Sequence, residues 1–268
     1  MKSSRIYGLD IWRVALLLFG PLVHSGGMTQ MLTEYKGSFF EDLTYGSHQF
    51  RMPVFFLISG FLSAHARAKR GNWLPRRLQQ LAIPVIFTWL FLLTPARAYA
   101  NAHNYSWNYR EPGHLWFLLV LIAVTFALEI VERRPSSIDR LLVRAHPAPS
   151  FAIWCAVCIG AVALETFFAA VLRQSPIYLI FTSAPTCMAA YIAGYFLERS
   201  PSLATAVKTS RVYLLGPLFV AAAVAAFHYG RINSDHTINM LFIQCCLSGV
   251  ATATISISLI YSAVRIHR

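Results

Sequence analysis

Two titratable residues bracket one apolar stretch, Arg13-Val-Ala-Leu-Leu-Leu-Phe-Gly-Pro-Leu-Val-His24. A neutral imidazole can take a proton from a hydroxyl near physiological pH. A guanidinium offers a planar fork of donors that matches phosphate or carboxylate oxygens. Eleven positions of α-helix amount to three turns plus about 20°, so the two side chains share one face, about 16 Å apart along the axis. Pro21 lies between them and bends that line, which makes the alignment approximate. Both groups are costly in a bilayer, and an ionisable residue inside a span is a functional candidate by default.

Other polar groups recur at the starts of apolar segments. His48-Gln-Phe-Arg51-Met-Pro places His48 and Arg51 three apart, a spacing that shares a helix face. His114-Leu-Trp116 opens another segment. With His24, these residues define a candidate polar cavity towards the outer side. Plainer roles compete: Trp116 as an aromatic-belt anchor, His48 and His114 as solvated interfacial groups, Arg51 snorkelling to headgroups, and Asp10 with Arg13 as an interfacial pair. Glu165 and His228 are further candidates for the same cavity, or for pairing with each other. The run Arg67-Ala-Lys69-Arg70 and Arg76-Arg77 is the densest basic cluster. It suits either anionic lipid or the phosphates of a soluble anion.

The elements that must position these groups are membrane spans. The chain has 268 residues, 56% hydrophobic and 13% charged, against about 25% charged in soluble domains. Eight segments are long and apolar enough for helical spans, at roughly 9–27, 46–66, 78–96, 114–131, 151–171, 177–197, 212–229 and 238–264. Sixteen of the 23 Lys and Arg residues fall in the N-terminal tail, in the loops after spans 2, 4 and 6, and in the C-terminal tail. That alternation sets both termini in the cytoplasm. The formal net charge of +12 then reflects topology, and nucleic acid is not an expected partner. The first apolar run lacks a small-residue cleavage site and reads as an uncleaved span. The five cysteines lie in apolar runs, which argues against a disulfide framework. Cys155 and Cys158 form a CxxC that buried thiols explain as well as metal or redox chemistry. The expected fold class is an all-α polytopic helical membrane bundle forming one domain over 1–268, with no internal repeat.

Four stretches in order carry a family resemblance. Leu9-Asp10-Ile-Trp-Arg13 through His24 resembles the first helix of the integral-membrane acyltransferase-3 family, with its arginine and histidine eleven positions apart. Phe50-Arg51-Met52-Pro53-Val-Phe-Phe-Leu-Ile-Ser59-Gly60-Phe61-Leu62 resembles the second helix. Arg76-Arg77-Leu-Gln-Gln-Leu-Ala-Ile-Pro84 resembles the basic start of the third, and His114-Leu-Trp116-Phe117-Leu118 the stretch ahead of the fourth. Together they cover residues 5–125; the remainder matches in hydropathy. The wording is nearest the branch that resembles glucan-biosynthesis succinyltransferases of bacterial envelopes. Family members usually carry more helices than the eight read here, so the resemblance implies a chain short of the last ones.

The resemblance implies an acyltransferase of the bacterial inner membrane, multi-pass, moving an acetyl or succinyl group from acyl-CoA to a hydroxyl of a cell-envelope glycan. Acyl-CoA is a co-substrate, and no bound cofactor or metal is implied. His24 and Arg13 are then the catalytic candidates, Arg76 and Arg77 the acyl-CoA-binding ones, and His48, Arg51, His114 and Trp116 the acceptor pocket. Two other readings stand beside this one: a small secondary transporter or exporter of an acyl or anionic compound, built on the same intramembrane charges, and an inactive short relative.

Overall fold

The computed structural model describes residues 9–16, 18, 39–69, 72–103, 115–132, 147–172, 178–200, 249, 250, 252–254 and 258. Among them every regular element is helical. Helix α1 covers 9–16. It is followed by α2 (Phe39–Lys69), α3 (Trp73–Phe87), a π-helical turn (Thr88–Leu93), α4 (Thr94–Ala102), α5 (Trp116–Glu132), α6 (Pro147–Val171) and α7 (Tyr178–Arg199). The expected spans 2 to 6 each fall on a helix. Span 1 is described only at its start and span 8 only in fragments. Span 7 lies outside the described residues.

Helix α2 is the centre of the bundle. Val54 to Phe61 is buried without a break, including Ser59 at 1% exposure. A helix buried on all sides belongs to the interior rather than to a surface. Its neighbour α7 approaches with no side chain between the two backbones. A Cβ added at Gly60 would meet the Tyr191 carbonyl oxygen at 2.0 Å, and one at Gly194 would meet the Leu57 carbonyl oxygen at 1.9 Å. Ala64 on α2 and Ala190 on α7, each four residues from its glycine, are also buried. Small residues at this spacing let membrane helices cross in van der Waals contact.

Two helical stretches are long and apolar enough to cross a membrane, Trp73–Ala96 and Ile153–Val171, and Trp116–Ile130 is apolar but shorter. In each of the two, only 6% of the most apolar window is buried. Ile83, Ile86, Phe87, Leu90, Phe91 and Leu92 on the first are all more than half exposed. Such a surface is far outside what a water-soluble monomer carries, and it fits lipid contact. The α3 stretch continues unbroken into α4 through the π turn. There the Thr94 amide donates to the Trp89 carbonyl, five residues back, and the Thr94 hydroxyl donates to the same oxygen at 2.8 Å. The wide turn sits directly before Pro95, whose ring would crowd an ordinary helical turn.

Three helix ends meet in one cluster of charges. Arg67 at the end of α2 donates to Glu129 Oε2 at 2.7 Å and pairs with Glu132 Oε2 at 2.8 Å, both at the end of α5. Glu132 Oε1 also accepts from Arg199 at the end of α7. His65 Nδ1 and Glu198 Oε1 lie 2.7 Å apart beside them. The Arg67 guanidinium also sits 5.8 Å from the centre of the Trp73 ring, at the start of α3, a cation–π distance. Hence α2, α5 and α7 run parallel to one another, and α3 starts where they end. This is the alternation that consecutive spans require.

Candidate functional site

Helix α1 turns Leu9, Trp12, Arg13 and Leu16 inward, while Ile11, Val14 and Leu18 are more than half exposed. The 3.6-residue period thus places Arg13 on the buried face of an amphipathic helix. Helix α3 does the same for Arg77. Trp73 and Leu81 are buried at 6% and 5% exposure, and Arg77 lies midway between them at the i+4 position of one row. Its neighbour Arg76, about 100° around the helix, is exposed. The two adjacent arginines expected to act together therefore part company. Arg77 faces the bundle interior, within electrostatic reach of Arg13 and of Tyr191 on α7. The Nε atoms of Arg13 and Arg77 are both buried without a hydrogen-bond acceptor.

Tyr191 is fully buried, and its hydroxyl lies 3.1 Å from Thr125 Oγ1 on α5, also fully buried. Four helices, α1, α3, α5 and α7, thus deliver Arg13, Arg77, Thr125 and Tyr191 to one polar locus. Trp73 marks the charged end of the bundle. Arg77 is one turn, about 6 Å, further along the same helix. Tyr191 is eight residues, about 12 Å, before Arg199. The locus therefore lies just inside the rim of ion pairs.

Arg51 is 3% exposed. Burial excludes the snorkelling role, because its guanidinium is inside the helix packing. Arg51 is 16 residues, about 24 Å, from Arg67 along α2. Trp116, 7% exposed, is 13 residues, about 20 Å, from Glu129 along α5. Since Arg67 and Glu129 touch, Arg51 and Trp116 lie at similar depths at the opposite end of the bundle from the rim. His48 is on the same helix as Arg51, one turn earlier, and nothing is described of its side chain. His24, His114 and His228 lie outside the described residues.

The remaining candidates resolve into structural roles. Glu165 on α6 accepts a hydrogen bond from the Thr186 backbone amide of α7 at 2.9 Å. Thr186 follows Pro185, a residue that disturbs the local helical ladder, so the carboxylate serves a helix backbone. Arg67, counted in the basic run, is occupied by Glu129 and Glu132. Cys155, Cys158 and Cys187 are free thiols. Among the described residues no cluster of His, Cys, Asp and Glu is arranged to hold a metal ion. Sequence reasoning missed Tyr191, Thr125 and the rim. The acidic residues Glu129, Glu132 and Glu198 at the ends of apolar runs were the available signal for the rim.

A family model described as an acyltransferase domain, Acyl_transf_3, matches residues 6–268. Glucans biosynthesis protein C of Salmonella typhi is 29% identical over 152 residues, covering 47% of this chain and 38% of that protein. Its counterpart in Shigella dysenteriae serotype 1 is 30% identical over 150 residues, with the same coverage of 47% and 38%. The matched stretch thus spans little more than a third of the length of these relatives. No solved structure matches the chain.

Proposed function

The chain belongs to the acyltransferase-3 family of acyl-transferring enzymes, and from that premise we propose that it is an integral-membrane O-acyltransferase of the cell envelope. Its donor is acyl-CoA and its acceptor a hydroxyl of an envelope glycan. The names of the relatives make a glucan the first acceptor to test. The acyl group is acetyl or succinyl. The chain sits in the inner membrane as a multi-pass protein of about eight spans with both termini in the cytoplasm.

The observation that carries this reading is the convergence of Arg13 and Arg77 just inside the ion-pair rim, two like charges whose buried Nε atoms have no acceptor. Buried cations are normally paired, and a pair of them with open donors suits the phosphates of a soluble donor. The rim is the cytoplasmic end in this reading, where acyl-CoA is available. Exposed Arg76 extends the basic surface at its mouth.

His24, eleven positions after Arg13 in the sequence, is the general base in this reading. Its imidazole takes the proton of the acceptor hydroxyl as the oxygen attacks the thioester carbonyl carbon. The carbon–sulfur bond then breaks, and the coenzyme A thiolate leaves with the proton that the imidazolium returns. The negative charge that grows on the carbonyl oxygen needs a donor or cation beside it. In this reading buried Arg51 supplies one, with His48, His114 and Trp116 holding the sugar. Membranes containing the chain, given radiolabelled acyl-CoA and envelope glycan, should transfer label to glycan. Label that stays with the donor at the level of membranes lacking the chain contradicts the proposal.

A further inference from the structure

Thr125 and Tyr191 together own two hydroxyl protons, and their 3.1 Å contact uses one. Neither hydroxyl makes another hydrogen bond among the described residues, so one proton has no acceptor. Four other helical hydroxyls among the described residues are settled within their own helix, whereas those of Ser59 and Thr186 are buried without a partner. Ser63, Thr166, Thr254 and Ser258 each donate to the carbonyl four residues back, at 2.8 to 2.9 Å. Thr125 instead reaches across to α7. Both members of the pair are fully buried, and a buried donor left unanswered costs free energy.

A similar deficit occurs at Arg77, within electrostatic reach of Tyr191, and at Arg13, within reach of Arg77. The Nε atoms of Arg13 and Arg77 are buried and lack acceptors, and neither arginine forms an ion pair among the described residues. The nearby carboxylates of Glu129 and Glu132 are already held by Arg67 and Arg199. Three donors from separate helices, two of them cationic, suit one kind of ligand: an anion with several acceptor oxygens. A water molecule would leave the two positive charges uncompensated.

We infer that Tyr191, steadied by Thr125, is the neutral donor of an oxyanion-binding site whose charged members are Arg13 and Arg77, and that the oxyanion belongs to the acyl donor. This inference rests on the acyltransferase reading and adds to it a recognition residue outside the basic segments. The oxyanion is either a phosphate of coenzyme A or the free carboxylate of a dicarboxylic acyl group; the site chemistry is the same for both. Tyr191 suits the role because its backbone is held at the α2–α7 crossing, where its carbonyl lies against Gly60, and its buried side chain is tied to Thr125 through the hydroxyl. The hydroxyl is therefore positioned before any ligand arrives.

The test is binding of coenzyme A, acetyl-CoA and succinyl-CoA to the full chain in detergent, as wild type, Tyr191→Phe, Thr125→Val and Arg77→Gln. Loss of one hydrogen bond to a charged ligand predicts about tenfold weaker binding by Tyr191→Phe. Thr125→Val, which removes the anchor but keeps the shape, should weaken binding less. If all three probes weaken alike, the oxyanion is a phosphate; if only succinyl-CoA weakens, it is the acyl carboxylate. Wild-type affinity for every probe in both Tyr191→Phe and Thr125→Val, with Arg77→Gln weakened, overturns the inference while leaving the acyltransferase reading intact. Failure of the wild type to bind any of the three probes overturns both. Thr125→Val keeps the test open should Tyr191→Phe not accumulate.

Discussion

Arg13 on α1 and Arg77 on α3 lie within mutual electrostatic reach inside the helix bundle, and neither has an ion-pair partner among the described residues. Like charges held together in a low-dielectric interior repel, so the folded chain carries a standing demand for an anion at this point. Arg77→Gln should raise the KM for acyl-CoA by about ten- to a hundredfold, the range of a lost charge-assisted hydrogen bond. Arg76→Gln should change it far less, because Arg76 is exposed. Steady-state kinetics on the two variants checks the contrast. Equal effects would mean that the helix presents both arginines to the donor.

The α2–α7 crossing gives a prediction with its own control. Gly60→Ala sets a Cβ 2.0 Å from a backbone oxygen, which no rotamer can relieve, whereas a Cβ at Gly160 meets nothing within 4 Å. Overpacking of this kind costs about 1–3 kcal/mol. Thermal unfolding in detergent should show Gly60→Ala and Gly194→Ala well below wild type, and Gly160→Ala at or above it, since alanine also favours helix.

Glu132 joins α2 to α7 by holding both Arg67 and Arg199, and its side chain is only 6% exposed. Glu132→Gln should destabilise the chain by about 1–3 kcal/mol. Glu198→Gln removes the charge from the His65 contact, between groups that are 30% and 26% exposed, and should cost about 0–1 kcal/mol. Comparing the melting temperatures of the two variants decides whether the rim is one network centred on Glu132.

Much of this arrangement was legible in the sequence, and the reason lies in single-helix geometry. The inward face of α1 with Arg13, and helices close to spans 2 to 6, follow from apolar length and the 3.6-residue period. What was not legible depends on register between helices. Arg76 and Arg77 are adjacent in sequence, and only the packing of Trp73 and Leu81 decides which one turns inward. Tyr191 reads as one more aromatic in an apolar run until α5 places Thr125 opposite it. Arg67 read as part of a free basic cluster, because the carboxylates that occupy it come more than sixty residues later.

Glu165 separates the enzymatic reading from a transporter built on the same charges. As an acceptor for the Thr186 amide, it can be replaced by glutamine, whose carbonyl oxygen keeps the bond. Glu165→Gln should retain acyl transfer within about twofold, and Glu165→Leu should lose stability by about 1–3 kcal/mol, because a buried amide loses its acceptor. Loss of activity in Glu165→Gln at unchanged stability would point to a proton-carrying role instead.

The central claim is that this chain adds an acyl group to an envelope glycan with His24 as the base. Mass spectrometry of envelope glycans from cells carrying the wild-type chain, the His24→Ala variant or neither tests it most directly. The account predicts an acyl mass increment on glycan with the wild type alone, while His24→Ala accumulates in the membrane at wild-type levels. An increment that persists in His24→Ala would contradict the assignment of the base, and glycans of identical mass in all three cells would contradict the function itself.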